Sequence, residues 1–274
     1  MTDPVPASDV SPPTVAAVGA ADAPPRGAAW SYVLAALPAF LLAVVAMVVC
    51  HRTVGPTLGF FFGGVMLAAI VVPLLVVGED GQARPWGAAA GAVAGVAAVW
   101  LWVTLRPHLP GQPYPDLGDW FRCTLVLAAF AFCLAAGSLL LRAARVTPAL
   151  AGFLVLLLGM AWLTWPVWLS PWLSGRGRLV AWLVPAHPLL AVNGVVRHIS
   201  APWDEHPLAY NLTVLNRDVS YPLPEGVFAT VALHVMVGTL ALLPFVLRWG
   251  LGRWGWYSPA GQTRPKTVPG EVAG

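Results

Sequence analysis

The stretch 148–169, PALAGFLVLLLGMAWLTWPVWL, contains no charged residue and presents apolar side chains on every face of a helix. A membrane-spanning helix needs about 20 predominantly apolar residues to cross a hydrocarbon core of about 30 Å. Strands of a membrane barrel instead alternate polar and apolar residues over about ten positions. The stretch therefore predicts a helix that satisfies its own backbone hydrogen bonds inside a lipid bilayer.

Five further runs have the same character, and none of them contains Asp or Glu: 30–50, 58–77, 86–105, 121–141 and 227–247. The polar links 78–85 and 142–147 are short, so each joins two antiparallel neighbours. We therefore expect an all-α, polytopic transmembrane helical bundle with six spans over residues 30–250.

The composition agrees with a membrane protein. Hydrophobic residues make up 58% of the chain and charged residues 10%, whereas soluble domains carry about 25% charge. The 15 basic residues form no stripe, so we expect no nucleic-acid partner. Three cysteines exclude a disulfide-dense secreted scaffold. Cys50 and Cys123 fall at the same predicted side of the bundle, which leaves open either a disulfide or two buried thiols.

A seventh apolar segment, 179–196, reads LVAWLVPAHPLLAVNGVV, with Pro185 and Pro188 on either side of His187. Two prolines so close together interrupt helical hydrogen bonding in the middle of the segment. We expect a broken helix that lies at the interface or re-enters the membrane. A full seventh span is the alternative.

The remaining segments predict the topology. Residues 1–29 are Pro-rich and 251–274 are polar, so both are expected to be disordered cytoplasmic tails. Residues 170–226 form the extracytoplasmic loop. Arg and Lys favour the tails and the two short links, which places both termini in the cytoplasm by the positive-inside rule. Fourteen Arg against one Lys, with abundant Ala, Gly and Pro, favours a bacterial cytoplasmic (inner) membrane.

Candidate functional side chains concentrate in the loop and in the last span. They are His187, His198, Trp203, Asp204, Glu205, His206 and His234. Histidine ligates metals and haem, but no HxxxH, HExxH or CxxC spacing appears. A solvated cap is the plainer interpretation of the loop. His234 lies inside a span, where an ionisable group is either functional or a neutral side chain hydrogen-bonded across helices.

Two further patterns concern packing and recognition. Gly87, Gly91 and Gly95 form one smooth stripe on the third span, and Gly59 and Gly63 do the same on the second. Such stripes let another helix approach closely, within the bundle or across a dimer. The cluster WLTWPVWLSPWL at 162–173 is typical of an aromatic belt at the interface. Its alternative role is an aromatic platform for a ligand at the outer face.

Six spans, internal termini and a broken hydrophobic segment between spans five and six resemble the permease subunits of ABC-2-type exporters. That resemblance implies a separate ATPase as partner, although the link 78–85 is shorter than the corresponding segment of such permeases. The preferred interpretation is a non-catalytic permease or membrane-complex subunit without a cofactor, in contact with lipid and with other membrane subunits or an ATPase. The alternatives are a haem- or metal-handling redox component and a membrane enzyme acting at the outer leaflet.

Overall fold

The computed structural model describes residues 28–54, 58–75, 83–106, 114–173, 175–197 and 223–253. These ranges contain helices and connecting turns and no strand. In chain order the helices are α1 (Ala28–Val54), α2 (Leu58–Leu74), α3 (Ala83–Thr104), α4 (Leu117–Ala143), α5 (Pro148–Trp168), α6 (Ser170–Leu173), α7 (Gly177–Ala186), α8 (Pro188–Val196) and α9 (Phe228–Arg253). The predicted all-α membrane bundle is confirmed.

Six of these helices correspond to the six predicted spans. Five are long and apolar enough to cross a membrane, and α2, with 17 residues, lies at the lower limit of a spanning helix. α4 begins four residues before the predicted run because Asp116 and Asp119 form a capping box. Asp119 N donates to Asp116 Oδ1 at 2.7 Å, and Asp116 N donates to Asp119 Oδ2 at 3.0 Å.

The first four spans alternate in direction. α1 and α3 are parallel, since Gly87 packs beside Tyr32 and Gly95 beside Phe40. α2 runs against α3, with Gly64 on Trp100. α4 also runs against α3. Near the start of α4, Trp120 Nε1–H donates to Ala97 O in the second half of α3 at 2.9 Å. Phe132, near the middle of α4, stacks on Trp86 near the start of α3.

The last spans continue this alternation. α5 runs against α4, because Gly159 meets Leu134 and Val155 meets Gly137. α9 is parallel to α4, because His234 contacts Phe130 and Gly238 contacts Phe132. The start of α1, the α4–α5 turn and the end of α9 therefore share one face of the bundle, which we call the termini face. The end of α5 and the start of α9 share the opposite face, which we call the loop face.

The broken segment re-enters the bundle from the loop face. α7 and α8 meet at a bend of 77°. α6 connects the end of α5 to α7, and Gly194 near the end of α8 packs on the backbone carbonyl of Pro224, just before α9 begins. Both ends of the pair therefore lie toward the loop face, which favours re-entry over a full seventh span. All nine residues of α8 are buried within the protein.

The glycine stripe of α3 faces the interior of the molecule. A Cβ at Gly87 would lie 2.7 Å from Tyr32 O, and a Cβ at Gly95 would lie 2.7 Å from Phe40 O. At Gly91 it would collide with the carbonyl of Ala36. The stripe is thus occupied by α1 of the same chain. On α2, Gly63 lies beside the Cys50 thiol and Gly59 is half-buried.

The three cysteines are free thiols. Cys50 packs beside Gly63, whereas Cys123 is buried in α4 among core side chains. The disulfide between Cys50 and Cys123 that the sequence left open is therefore not formed.

Candidate functional site

The structure separates the predicted site residues into two groups. His198, Trp203, Asp204, Glu205 and His206 lie outside the described residues, so a role for them stays a prediction. His187 and His234 are described, and both are buried. The geometry that follows therefore concerns these two histidines and their neighbours.

His187 is a structural side chain at the bend between α7 and α8. Sequence reasoning placed it on the wet outer face, which is wrong, since only 1% of its surface is exposed. Its Nε2–H donates to Leu163 O at 3.2 Å, and its Nδ1 accepts from Leu190 N at 3.2 Å. The imidazole caps the start of α8, where Pro188 occupies the first helical position. With both nitrogens engaged inside the protein, His187 has no lone pair left for a ligand.

His234 makes a different set of contacts on α9. Its Nδ1 lies 2.7 Å from Thr230 O. A carbonyl oxygen can only accept, so Nδ1 carries the proton and Nε2 carries the lone pair. The hydroxyl of Thr230 in turn donates to Pro185 O at 2.6 Å, which ties α9 to the end of α7.

Indole and phenyl rings fix the two imidazoles. Trp162 lies between them, with ring centroids 6.1 Å from His187 and 6.3 Å from His234. Trp165 packs edge-on against His187 at 5.6 Å, and Phe130 packs edge-on against His234 at 5.4 Å. These five rings come from α4, α5, α9 and the α7–α8 bend.

The tryptophan cluster of 162–173 is divided between the interior and the surface. Trp165 is fully buried and Trp162 is half-buried, whereas Trp168 and Trp172 are exposed. The prediction of an interfacial aromatic belt therefore describes only part of this cluster, because two of its four tryptophans pack inside the bundle. Trp100 of α3 is likewise fully buried.

A cleft of about 490 Å³ lies beside the ring cluster, between α4, α5 and α9. Its lining contains no charged side chain, and its polar members are Trp162, His234 and the Cys133 thiol. The other lining residues are Phe130, Leu134, Gly137, Leu140, Val155, Leu158, Gly159, Leu233, Val237 and Ala241. Sequence reasoning did not single out Gly137 or Gly159, because each is an isolated glycine in its helix.

Several buried polar atoms in the described part of the chain have no hydrogen-bond partner. One of them, the Nε1–H of Trp162, belongs to a residue that lines the cleft. Trp165 Nε1 is also without a partner, but Trp165 does not line the cleft. The amide of Asn193 on α8 lacks partners for both its nitrogen and its oxygen. A buried donor without an acceptor is costly, and Trp162 Nε1, like the other unpartnered atoms, is enclosed by the protein.

The described residues do not assemble a metal centre. Among them, no group of three or more His, Cys, Asp or Glu could hold a metal ion. The two buried histidines also differ in capacity, because His187 uses both nitrogens and His234 retains one lone pair.

The helices and their apolar lengths define a multi-pass membrane protein. Comparisons with protein-family models, curated proteins and solved structures find no match to this chain. Its function is therefore argued from the geometry alone.

Proposed function

We propose that the chain is a non-catalytic permease or membrane-complex subunit with the layout of ABC-2-type permeases, working with a separate ATPase. The observation that carries the proposal is the re-entrant pair α7–α8, which is inserted between the fifth and sixth spans from the loop face. α8 is buried and packs against α2 and α4. A movement of α8 would therefore repack the core of the bundle and couple to both of these spans.

The buried polar groups support a non-catalytic role. Asp119, the buried acid among the described residues, caps α4. Ser138 donates its hydroxyl to Leu134 O at 2.9 Å, within its own helix. His187 is a helix cap. These side chains perform structural tasks, and no nucleophile–base pair is formed by them.

The proposal places the termini face in the cytoplasm of a bacterial inner membrane, as the distribution of Arg favours. The α4–α5 turn at this face exposes Ala144 and Arg145. We take this turn as the contact for the ATPase, because the link between α2 and α3 is short. Arg145 adopts φ 65° and is exposed.

Affinity purification of the tagged full chain from membranes of its native host, in mild detergent, tests this function. The expected result is a near-stoichiometric ATP-binding subunit and ATP hydrolysis by the purified complex. Arg145→Glu should weaken retention of that subunit, whereas Arg178→Glu, a matched charge reversal on the loop face, should not. A natively folded chain that is isolated without an ATPase would refute the proposal.

A further inference from the structure

We propose that basic and aromatic side chains at the loop-face ends of α1 and α3 bind the phosphate group of an anionic membrane lipid. The site consists of His51, Arg52, Trp102 and Arg106, which we call the basic cluster. It goes beyond the function proposed above and does not depend on it, because lipid binding is a property of the isolated chain.

The packing of α1 on α3 brings the basic residues together. Each of the three stripe glycines of α3 lies against the backbone carbonyl of the α1 residue 55 positions earlier in the chain. The end of α3 continues as a helical turn, since Arg106 N donates to Val103 O at 3.2 Å. The same register therefore places Arg106 level with His51, and both Arg106 and Arg52 act electrostatically on the His51 imidazole.

The guanidinium of Arg106 is positioned by aromatic rings. Its Cζ lies 3.7 Å from the centre of the Trp102 ring, four residues earlier on the same side of the helix. His51 packs edge-on against Trp102 with ring centroids 5.7 Å apart, and Phe60 of α2 lies 5.4 Å from His51. A cation is attracted to the face of an indole, so the guanidinium is oriented before a ligand binds.

The cluster is exposed at the level of the lipid head groups. The side chains of Arg52, Trp102 and Arg106 are all exposed. Arg52 is the next-to-last residue of the apolar span Tyr32–Thr53, and Arg106 lies two residues beyond the span Pro85–Thr104. Both guanidiniums therefore lie at the edge of the hydrocarbon core, where tryptophan is enriched and where lipid phosphates are found.

The charge of the cluster selects an anion. Arginine stays protonated, and its planar N–H fork matches the oxygens of a phosphate. The acids at this face of the described chain lie elsewhere. Asp116 and Asp119 form the capping box of α4, and Glu225 precedes α9, which packs on α4. The indole accepts no hydrogen bond in its plane, so contact with Trp102 leaves the N–H donors of Arg106 for the oxyanion.

Native mass spectrometry of the purified, delipidated full chain in detergent tests the site. The probes are dioctanoyl-phosphatidylglycerol, dioctanoyl-phosphatidylcholine and dioctanoylglycerol, with inorganic phosphate as a competitor. We expect the tightest binding for phosphatidylglycerol. Phosphatidylcholine should bind about tenfold more weakly, because its ammonium group meets the arginines, and dioctanoylglycerol, which lacks the phosphate, more weakly still.

Inorganic phosphate separates a lipid site from a site for a soluble phosphate. It carries the recognised oxyanion but no acyl chains to lie along the apolar spans. We therefore expect it to displace phosphatidylglycerol only at concentrations at least about a hundredfold above those of the lipid. Displacement at equal concentration would overturn the assignment of a lipid.

Three variants assign the contacts. Arg106→Gln removes the charge, so the affinity for dioctanoyl-phosphatidylglycerol should fall about tenfold. Arg106→Lys keeps the charge but loses the planar fork, and its affinity should lie between the two. Arg178→Gln is the matched control, because it removes an exposed arginine in the first turn of α7 on the same face, and it should leave the affinity unchanged.

The proposal is overturned if dioctanoylglycerol or phosphatidylcholine binds as tightly as phosphatidylglycerol, because the chain would then hold any lipid. It is equally overturned if Arg106→Gln and Arg178→Gln behave alike. The melting temperature of each variant, measured in the same detergent, shows that a loss of binding reflects the cluster and not unfolding.

Discussion

Glycine has opposite roles in two regions of the molecule, the contact between α1 and α3 and the cleft between α5 and α9. On α3, Gly87, Gly91 and Gly95 bring a helix backbone directly against the backbone of α1. On α4 and α5, Gly137 and Gly159 line an open space with only side chains nearby. A glycine in a membrane helix thus indicates close packing only where a second backbone is present to fill the gap.

The two buried histidines also differ in how their ring nitrogens are used. His187, at the re-entrant bend, satisfies both ring nitrogens within the protein. His234, beside the cleft, satisfies one. His187 therefore completes its hydrogen bonds within the protein, while His234 keeps one ring nitrogen without a bond to its own helix.

The largest effect should follow from closing the gap between α1 and α3. Gly91→Leu places a side chain where the carbonyl of Ala36 lies, so its cost should exceed the about 1–3 kcal/mol typical of overpacking. We expect aggregation or a strongly lowered melting temperature in detergent. Ala94→Leu, on the exposed face of the same helix, should behave like the unmodified protein. If both variants were equally stable, α1 would not occupy this stripe.

A smaller effect should distinguish the two histidines. His187→Leu leaves Leu163 O and Leu190 N without their side-chain partner, at a cost of about 1–3 kcal/mol. His234→Leu removes one bond to Thr230 O, a carbonyl four residues earlier in the same helix, so it should cost less than His187→Leu. Unfolding in a detergent titration measures both free energies. The reverse order would show that His234 is the structural residue.

The smallest effect is expected at Gly137. Gly137→Ala adds a methyl group with 3.8 Å of clearance from Val155, and alanine favours a helix over glycine by up to about 1 kcal/mol. The melting temperature should be unchanged or slightly higher. A clear loss of stability would mean that α4 and α5 are closer than the cleft requires.

The sequence predicts most of the fold because a membrane-spanning helix is recognisable from its length and its apolar composition. The proline pair at 185 and 188 also predicts the break in the seventh segment correctly. Sequence reasoning could not choose between re-entry and a full span, because that choice depends on the side at which Gly194 meets Pro224.

The candidate site was less predictable. His187 is a polar residue close in sequence to the polar loop that follows it, and so it was assigned to the wet face. Its burial results from the capping of α8 by its own ring. The proximity of Trp162 and His234 depends on the angles at which α5 and α9 pack on α4. Those angles cannot be read from the spacing of residues along the sequence. Sequence could identify His234 as an unusual group but not its neighbour.

The most direct test of the account is the topology of the re-entrant pair. In a variant with Cys50, Cys123 and Cys133 replaced by Ala, single cysteines are introduced at three exposed positions: Arg178→Cys in the first turn of α7, Glu225→Cys before α9 and Ala144→Cys in the α4–α5 turn. A membrane-impermeant thiol reagent is applied to intact cells and to inverted vesicles. The account predicts that positions 178 and 225 react from one side and position 144 from the other. Labelling of positions 178 and 225 from opposite sides would contradict it.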